Sequence, residues 1–290
     1  MKKYQELLLF LVIYALSMVI GLLSATFIQE KIGIELLLMD IVMTLVIYLG
    51  SLILKNASLY DPYWSVIPPF LMLYAMIKLS AYSYLNWVLW IVVFVWAIRL
   101  TYNWAINWQS FSHQDWRYDL IKQKTKKLYP LANLFGIQLM PTIVVYAQIY
   151  VAYLVIEQNA VLSISAILSA LVVLLATFIQ FLSDKQMKAF RSNKQNKRVI
   201  DIGLWQYSRH PNYFGEILVW WGVYGFYLSV NQTLDWLILA PMLMTMLFLG
   251  ISIPMMENKI LKTRPEYSDY QASTSMLIPW FKRSRQTQES

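Results

Sequence analysis

Apolar stretches of roughly 20 residues, the length a helix needs to cross a hydrocarbon core, recur along this chain and leave little else for it to fold into. Eight are legible: Leu7–Ile28, Ile34–Leu54, Trp64–Tyr82, Leu85–Ile106, Leu134–Ile156, Leu162–Leu182, Tyr213–Val230 and Leu234–Met256. With 58% hydrophobic and 14% charged residues, the composition excludes an ordinary soluble domain. The predicted fold class is therefore all-α, a polytopic transmembrane helix bundle of about eight spans, with seven to nine compatible with the boundaries. The first stretch follows Lys2 and Lys3, as a signal peptide would, but no small-residue cleavage site follows it cleanly. It is expected to be a retained helix.

Basic residues orient the spans. Segment 109–133 holds Arg117, Lys122, Lys124, Lys126 and Lys127. Segment 183–212 holds Lys185, Lys188, Arg191, Lys194, Lys197, Arg198 and Arg209, and the tail after Met256 holds six more. Together with Lys2, Lys3 and Lys55, these fall on one side of an eight-span chain, while the opposite loops carry only Lys31. The asymmetry predicts both termini in the cytosol. It also assigns most of the net charge of +8 to topology and anionic lipid headgroups rather than to nucleic acid. Membrane lipids are the expected partners, and a bacterial inner membrane is the default location. The chain has no cysteine, so disulfides, thiolate metal sites and cysteine nucleophiles are excluded. Its two histidines, His113 and His210, give no basis for a metal site.

Polar residues inside or beside the spans are the candidates for function. Asp61-Pro62-Tyr63-Trp64 precedes the third span. Asp61 is placed there either to cap the helix or to bring a carboxyl to a cavity mouth. Arg99 shares a helical face with Trp96 and Tyr102 and needs an anionic partner, for instance Asp61. Gln180, Asp184 and Lys188 recur every four residues at the end of the sixth span. Asp184 there either pairs with Lys188 on the helix surface or holds a cofactor hydroxyl.

The densest cluster lies in GLWQYSRHPNYFGEILVWWG, residues 203–222. His210-Pro211 predicts a break followed by a helix start, whose free amides and positive dipole end favour phosphate. Arg209 and Arg191 are placed to add bidentate phosphate contacts. Tyr207 and Tyr213 offer flat faces for a ring, and Glu216 faces the same way as Asn212. The cluster points to an anionic, nucleotide-type ligand held by helices and loops. No glycine-rich phosphate loop is present.

GLWQYSRHPNYFGE followed by VWWG resembles the signature of the steroid 5α-reductase family, and more closely its bacterial branch of membrane proteins. Asp61-Pro-Tyr-Trp64, Trp96-Ala-Ile-Arg99, Asp115-Trp-Arg-Tyr118, Asp184-Lys-Gln186, Glu257, Tyr267 with Tyr270, and Pro279-Trp280 follow in the branch's order. The resemblance covers about residues 58–281, leaving 1–57 as less diagnostic N-terminal helices and 282–290 as a polar tail. It implies a helix bundle that takes NADPH from the cytosolic side and reduces an activated carbon–carbon double bond in a lipophilic substrate, steroid- or isoprenoid-like. Carried over residue by residue, it places Asp184, Arg191, Tyr207, Arg209, His210, Asn212, Tyr213 and Glu216 in the cofactor half, joined by Glu257, Tyr267 and Tyr270. The substrate half maps near Asp61, Tyr63, Trp64, Trp96, Arg99 and Tyr102. Steroid reductases proper carry a Gln-Glu pair in the region of Asp61-Pro62-Tyr63, so Asp61, Tyr63 or Tyr102 is left to supply the acid. Two alternatives stand beside this reading. One is a membrane methyltransferase of the isoprenylcysteine or phospholipid type using S-adenosylmethionine, which shares the RHPxYxG core. The other is a lipid-binding protein without turnover.

Overall fold

The computed structural model describes residues 2–192 and 199–282, and among them it contains helices and no strands. The basic residues Lys194, Lys197, Arg198, Arg283 and Arg285, counted above in an inside loop and the tail, lie outside the described residues. In chain order the helices are α1 Lys2–Ala25, α2 Ile32–Ile53, α3 Tyr63–Leu79, α4 Tyr84–Asn107, α5 Trp116–Thr125 and α6 Tyr129–Ala132. They continue with α7 Met140–Gln158, α8 Ile164–Ser192, α9 Pro211–Asn231, α10 Leu239–Leu247, α11 Ile253–Thr263 and α12 Tyr267–Ser273. Two π-helical turns join neighbours into continuous runs: Asn133–Leu139 links α6 to α7, and Phe248–Ser252 links α10 to α11.

Among the described residues, six helical segments are long and apolar enough to cross a membrane: Lys3–Ala25, Ile32–Ile53, Tyr84–Asn107, Trp116–Gln158, Ile164–Ser192 and Trp236–Thr263. The eight expected spans include two more, and both are helices of the same bundle. α3 has 17 residues with Pro68 and Pro69 inside it. α9 has 21 residues but is rich in Trp, Tyr and Gly rather than aliphatic side chains. Both bury most of one face against neighbours.

One end of the bundle gathers the start of α1 and the ends of α2 and α4. Lys3 donates to the carbonyl of Ile106 (2.9 Å). Asn56 donates to the carbonyls of Phe111 and His113 (2.9 and 3.0 Å). At the other end, Asn86 of α4 donates to the carbonyl of Ile156 of α7 (3.0 Å), and Lys78 pairs with buried Glu35. These groupings make successive helices of this part of the bundle antiparallel.

The pair that positions the site is α8 with α9. Helices in lipid approach closely where small residues line the contact, and Gly215, Gly222 and Gly225 do so here. A Cβ on Gly215 would lie 2.7 Å from the carbonyl oxygen of Ala176, and one on Gly222 would lie 2.6 Å from Val173. This approach brings Glu216 within reach of Gln180 (2.9 Å). Gly215→Ala is therefore expected to push the helices apart and cost about 1–3 kcal/mol, the usual range for overpacking. Thermal unfolding in detergent should show the loss, and an unchanged midpoint would mean that the contact yields.

Candidate functional site

A polar lattice ties α4, α8 and α9 together. On α4, Arg99 and Asn103 lie one turn apart, and on α8 so do Gln180 and Asp184. Arg99 donates to Asp184 (2.7 Å) and to Gln180, and Asn103 donates to Asp184 (2.9 Å). Glu216 of α9 is buried and accepts from Trp96 (3.0 Å), Gln180 (2.9 Å) and Trp220 (3.1 Å). Buried charge needs a counter-charge or hydrogen bonds to persist: Arg99 and Asp184 form an ion pair, although Arg99 Nε finds no partner among the described residues, and Glu216 rests on three neutral donors. The partner of Arg99 is thus Asp184, not Asp61. Asp184 faces inward to Arg99 rather than along the helix surface to Lys188.

Two cavities flank this lattice. The first, about 450 Å³, is bordered by Asp61, Trp64, Arg99, Arg117, Tyr118 and Glu216. The second, about 540 Å³, is bordered by Trp116, Arg191, His210, Tyr213, Lys259 and Tyr267. Asp184, Asn212 and Tyr213 line both, so these three side chains stand between them. The start of α5 straddles the two. Asp115, Arg117 and Tyr118 border the first cavity, while Trp116 turns to the second, where Lys259 sits over its ring at 4.0 Å.

In the first cavity two aspartates are driven in opposite directions. Burial pushes the Asp61 carboxyl from 3.8 up to about 7, against the hydrogen bond from Tyr118; nearby Asp115 adds to the rise and Arg117 opposes it. Burial also acts to raise Asp115, but it is outweighed. Arg117 gives that carboxylate side-chain bonds (2.9 Å each) and its backbone amide (2.8 Å), and holds it below the ordinary range. One cavity therefore holds an acid that keeps its proton near neutral pH and a carboxylate that does not. Divergence of this kind assigns acid and base roles at catalytic sites. Asp61 does not cap α3, because Pro62 occupies the cap position and its side chain cannot accept a hydrogen bond. The Asp61 carboxylate instead accepts from Tyr118 (2.7 Å).

Glu257 organises the far side of the second cavity. It accepts from Arg209 (2.8 Å), Tyr267 (3.2 Å) and Gln271 (2.7 Å), and sits 3.0 Å from His210 Nε2. Arg209 also donates to the carbonyls of Gln271 and Thr274 (2.8 Å each), and its amide donates to Ser275 (2.8 Å). Its guanidinium is spent on holding α12 and the following strand-like segment against the start of α9. Arg209→Ala is expected to lower the unfolding midpoint while leaving anion affinity within about twofold, since truncating a buried pair leaves the other charge unpaired. Ligand titrations at a temperature where the variant stays folded would separate the two effects. A large loss of affinity there would return Arg209 to the ligand.

The remaining candidates divide by location. His210 is stacked on Tyr213, with ring centroids 5.3 Å apart, and both border the second cavity, as does Tyr270. Trp96 is fully buried behind the first cavity as a donor to Glu216. Tyr63 is also buried behind it and donates to Asp40 (2.7 Å). Its neighbour Tyr60 is the tyrosine that reaches the cavity, with its hydroxyl 2.8 Å from that of Thr142. Tyr102 is 65% exposed and borders neither cavity, and Tyr207 packs edge-on against Phe281 away from both. Tyr60, Asn103, Asp115, Trp116, Arg117, Tyr118 and Lys259 border the cavities without having been singled out as site residues. The signal was present for four of them: Asp115-Trp-Arg-Tyr118 is a short charged and aromatic run beside a membrane span.

The architecture defines a class: an all-helical, membrane-spanning bundle with a two-chambered polar site set among α4, α5, α8, α9 and α11. Residues 47–274 match the family described as "Protein of unknown function (DUF1295)", and the chain belongs to that family, which lies within the steroid 5α-reductase-like group. An uncharacterised protein of Schizosaccharomyces pombe is 25% identical over 272 residues, 84% of this chain and 78% of that protein. No solved structure matches.

Proposed function

We propose that the protein is a membrane-embedded reductase that reduces an activated carbon–carbon double bond in a lipophilic substrate with NADPH. The observation that carries the reading is the pair of chambers meeting at Asp184, Asn212 and Tyr213. One chamber is basic and aromatic. The other holds a carboxyl kept protonated up to about 7.

The second chamber fits a dinucleotide by its chemistry. Arg209 is neutralised by Glu257, and Asp184 by Arg99. Arg191 and Lys259 form none of the ion pairs found among the described residues, so their charge is open to phosphate. Trp116, with Lys259 over one face, and Tyr213, with His210 stacked on one face, make the chamber aromatic. The cofactor supplies the hydride when bound. Asn212 and Tyr213, on the shared wall, would hold the reactive end of the cofactor beside the first chamber. Asp61, supported by Tyr118, donates the proton that completes reduction, and Arg117 keeps the neighbouring Asp115 ionised so that the two carboxyls do not exchange roles. Trp64 and the apolar wall exclude water from the reacting bond. The chamber faces the cytosol in this reading, as the basic loops require.

Titrating the purified protein with NADPH and with S-adenosylmethionine tests the assignment. Saturable NADPH binding is expected, weakened by about 2 kcal/mol in Arg191→Ala with Lys259→Ala if both hold phosphate. Binding of the methyl donor with none of NADPH would give the methyltransferase reading. Binding of neither, alongside a retained lipid, would give the non-catalytic one.

A further inference from the structure

Helix α2 carries a buried carboxyl that neither the packing nor the proposed reaction uses. Asp40 lies about 12 Å past the start of α2, inside a helix long enough to span a membrane. Among the described residues it forms no ion pair. The titratable groups that face it are phenols: Tyr60 from the turn before α3, Tyr63 from α3 and Tyr146 from α7. An ionisable group at such depth is costly, and proton relays are one use for it. The hydroxyl oxygen of Tyr63 lies 2.9 Å from the main-chain carbonyl oxygen of Asp40 and 2.7 Å from its carboxyl. A phenol has one hydrogen to divide between these two acceptors. With a proton on the carboxyl, both contacts are satisfied: Tyr63 donates to the carbonyl, and Asp40 donates to Tyr63.

From Tyr63 a line of hydroxyls runs to the first chamber. A hydrogen bond joins Tyr63 to Thr44, one turn along α2 from Asp40. The hydroxyls of Thr44 and Thr142 are 3.0 Å apart, and those of Thr142 and Tyr60 are 2.8 Å apart. All four side chains are buried. Tyr60 borders both the first chamber and a small cleft that Asp40 also borders. Each hydroxyl donates and accepts, so a proton crosses the line by one hydrogen shifting at every link.

We propose that Asp40 is a protonated carboxyl that exchanges its proton with the first chamber along Tyr63, Thr44, Thr142 and Tyr60, and so recharges Asp61. The recharging rests on the reductase reading above; the relay itself rests on the hydrogen bonds. A chamber that excludes water also denies Asp61 a fresh proton from bulk. After Asp61 has donated, a proton leaves the Asp40 carboxyl at one end of the line and one reaches the Asp61 carboxylate at the other. Each hydroxyl between them ends with its neighbour's hydrogen, and the two carboxyls together keep one negative charge.

Infrared spectroscopy of the purified protein tests the relay. At a pH of about 6, where an exposed aspartate has ionised, the difference between wild type and Asp40→Asn is expected to contain the carbonyl stretch of a protonated carboxyl. On transfer to D₂O that band should shift as the acid exchanges. Thr142→Val removes one link and should slow the shift by about tenfold, since the path loses a hydrogen bond. Tyr60→Phe breaks the same line at the chamber and serves should Thr142→Val fold poorly. Absence of the band, or exchange at the wild-type rate in both variants, would overturn the relay. The spectra need neither cofactor nor turnover, so a failed NADPH titration would leave the relay standing and remove only its use.

Discussion

Replacing Arg99 with methionine should destabilise the folded protein by about 1–3 kcal/mol, the cost of leaving a partly buried carboxylate without its counter-charge. Asp184 would keep the bond from Asn103 (2.9 Å) but lose the only cation bonded to it among the described residues, and Gln180 would lose a donor. The damage should spread, because Gln180 also supports Glu216 (2.9 Å) and thereby the α8–α9 contact. Removing both charges at once, as Arg99→Met with Asp184→Leu, should cost less than the single change, since no unpaired ion remains. Equilibrium unfolding of the single and double variants in detergent measures the coupling directly. Additive losses would show that the pair does not act as a unit.

Under the proposed reaction, replacing Asp61 with asparagine should lower reductive turnover by about 10²–10⁴-fold, the usual contribution of a positioned acid. The shape of the remaining pH profile is the sharper readout. With Asp61 as the donor, the active form is the protonated one, so the rate should fall as pH rises through about 7. In Asp61→Asn that inflection should vanish. Stability carries the same signature. The free aspartate loses its proton near 3.8 and the folded one near 7. Between these values the folded state holds a proton that the unfolded state has lost, so stability declines as pH rises across the window. The asparagine variant should flatten that decline. A wild-type inflection that persists in the variant would move the acid role to another group, with Tyr60 next in reach of the chamber.

Much of the bundle was legible because apolar length and helix breaks are local properties. The proline at 211 starts α9 where the sequence said it should. Four-residue spacing correctly put Asn212 and Glu216 on one face, and both border the first chamber. The same break, however, sent Arg209 and His210 the other way, outside the helix and toward Glu257, 48 and 47 positions further along the chain. Tyr60, Tyr63 and Tyr102 are all phenols near a polar end, and the sequence singles out only Tyr63 and Tyr102. Only packing turned one inward to Asp40, left one exposed and put one at the chamber.

The sequence by itself determined that this chain is a helical membrane bundle, and which stretch carries its charge and aromatic rings, because hydrophobic length and proline geometry act over a few residues. Tertiary structure alone decided which charges neutralise each other and which remain open to a ligand. Arg99 finds Asp184 and Arg209 finds Glu257 across dozens of residues, and in a medium that does not solvate ions, the partner within reach settles whether a side chain is scaffold or site.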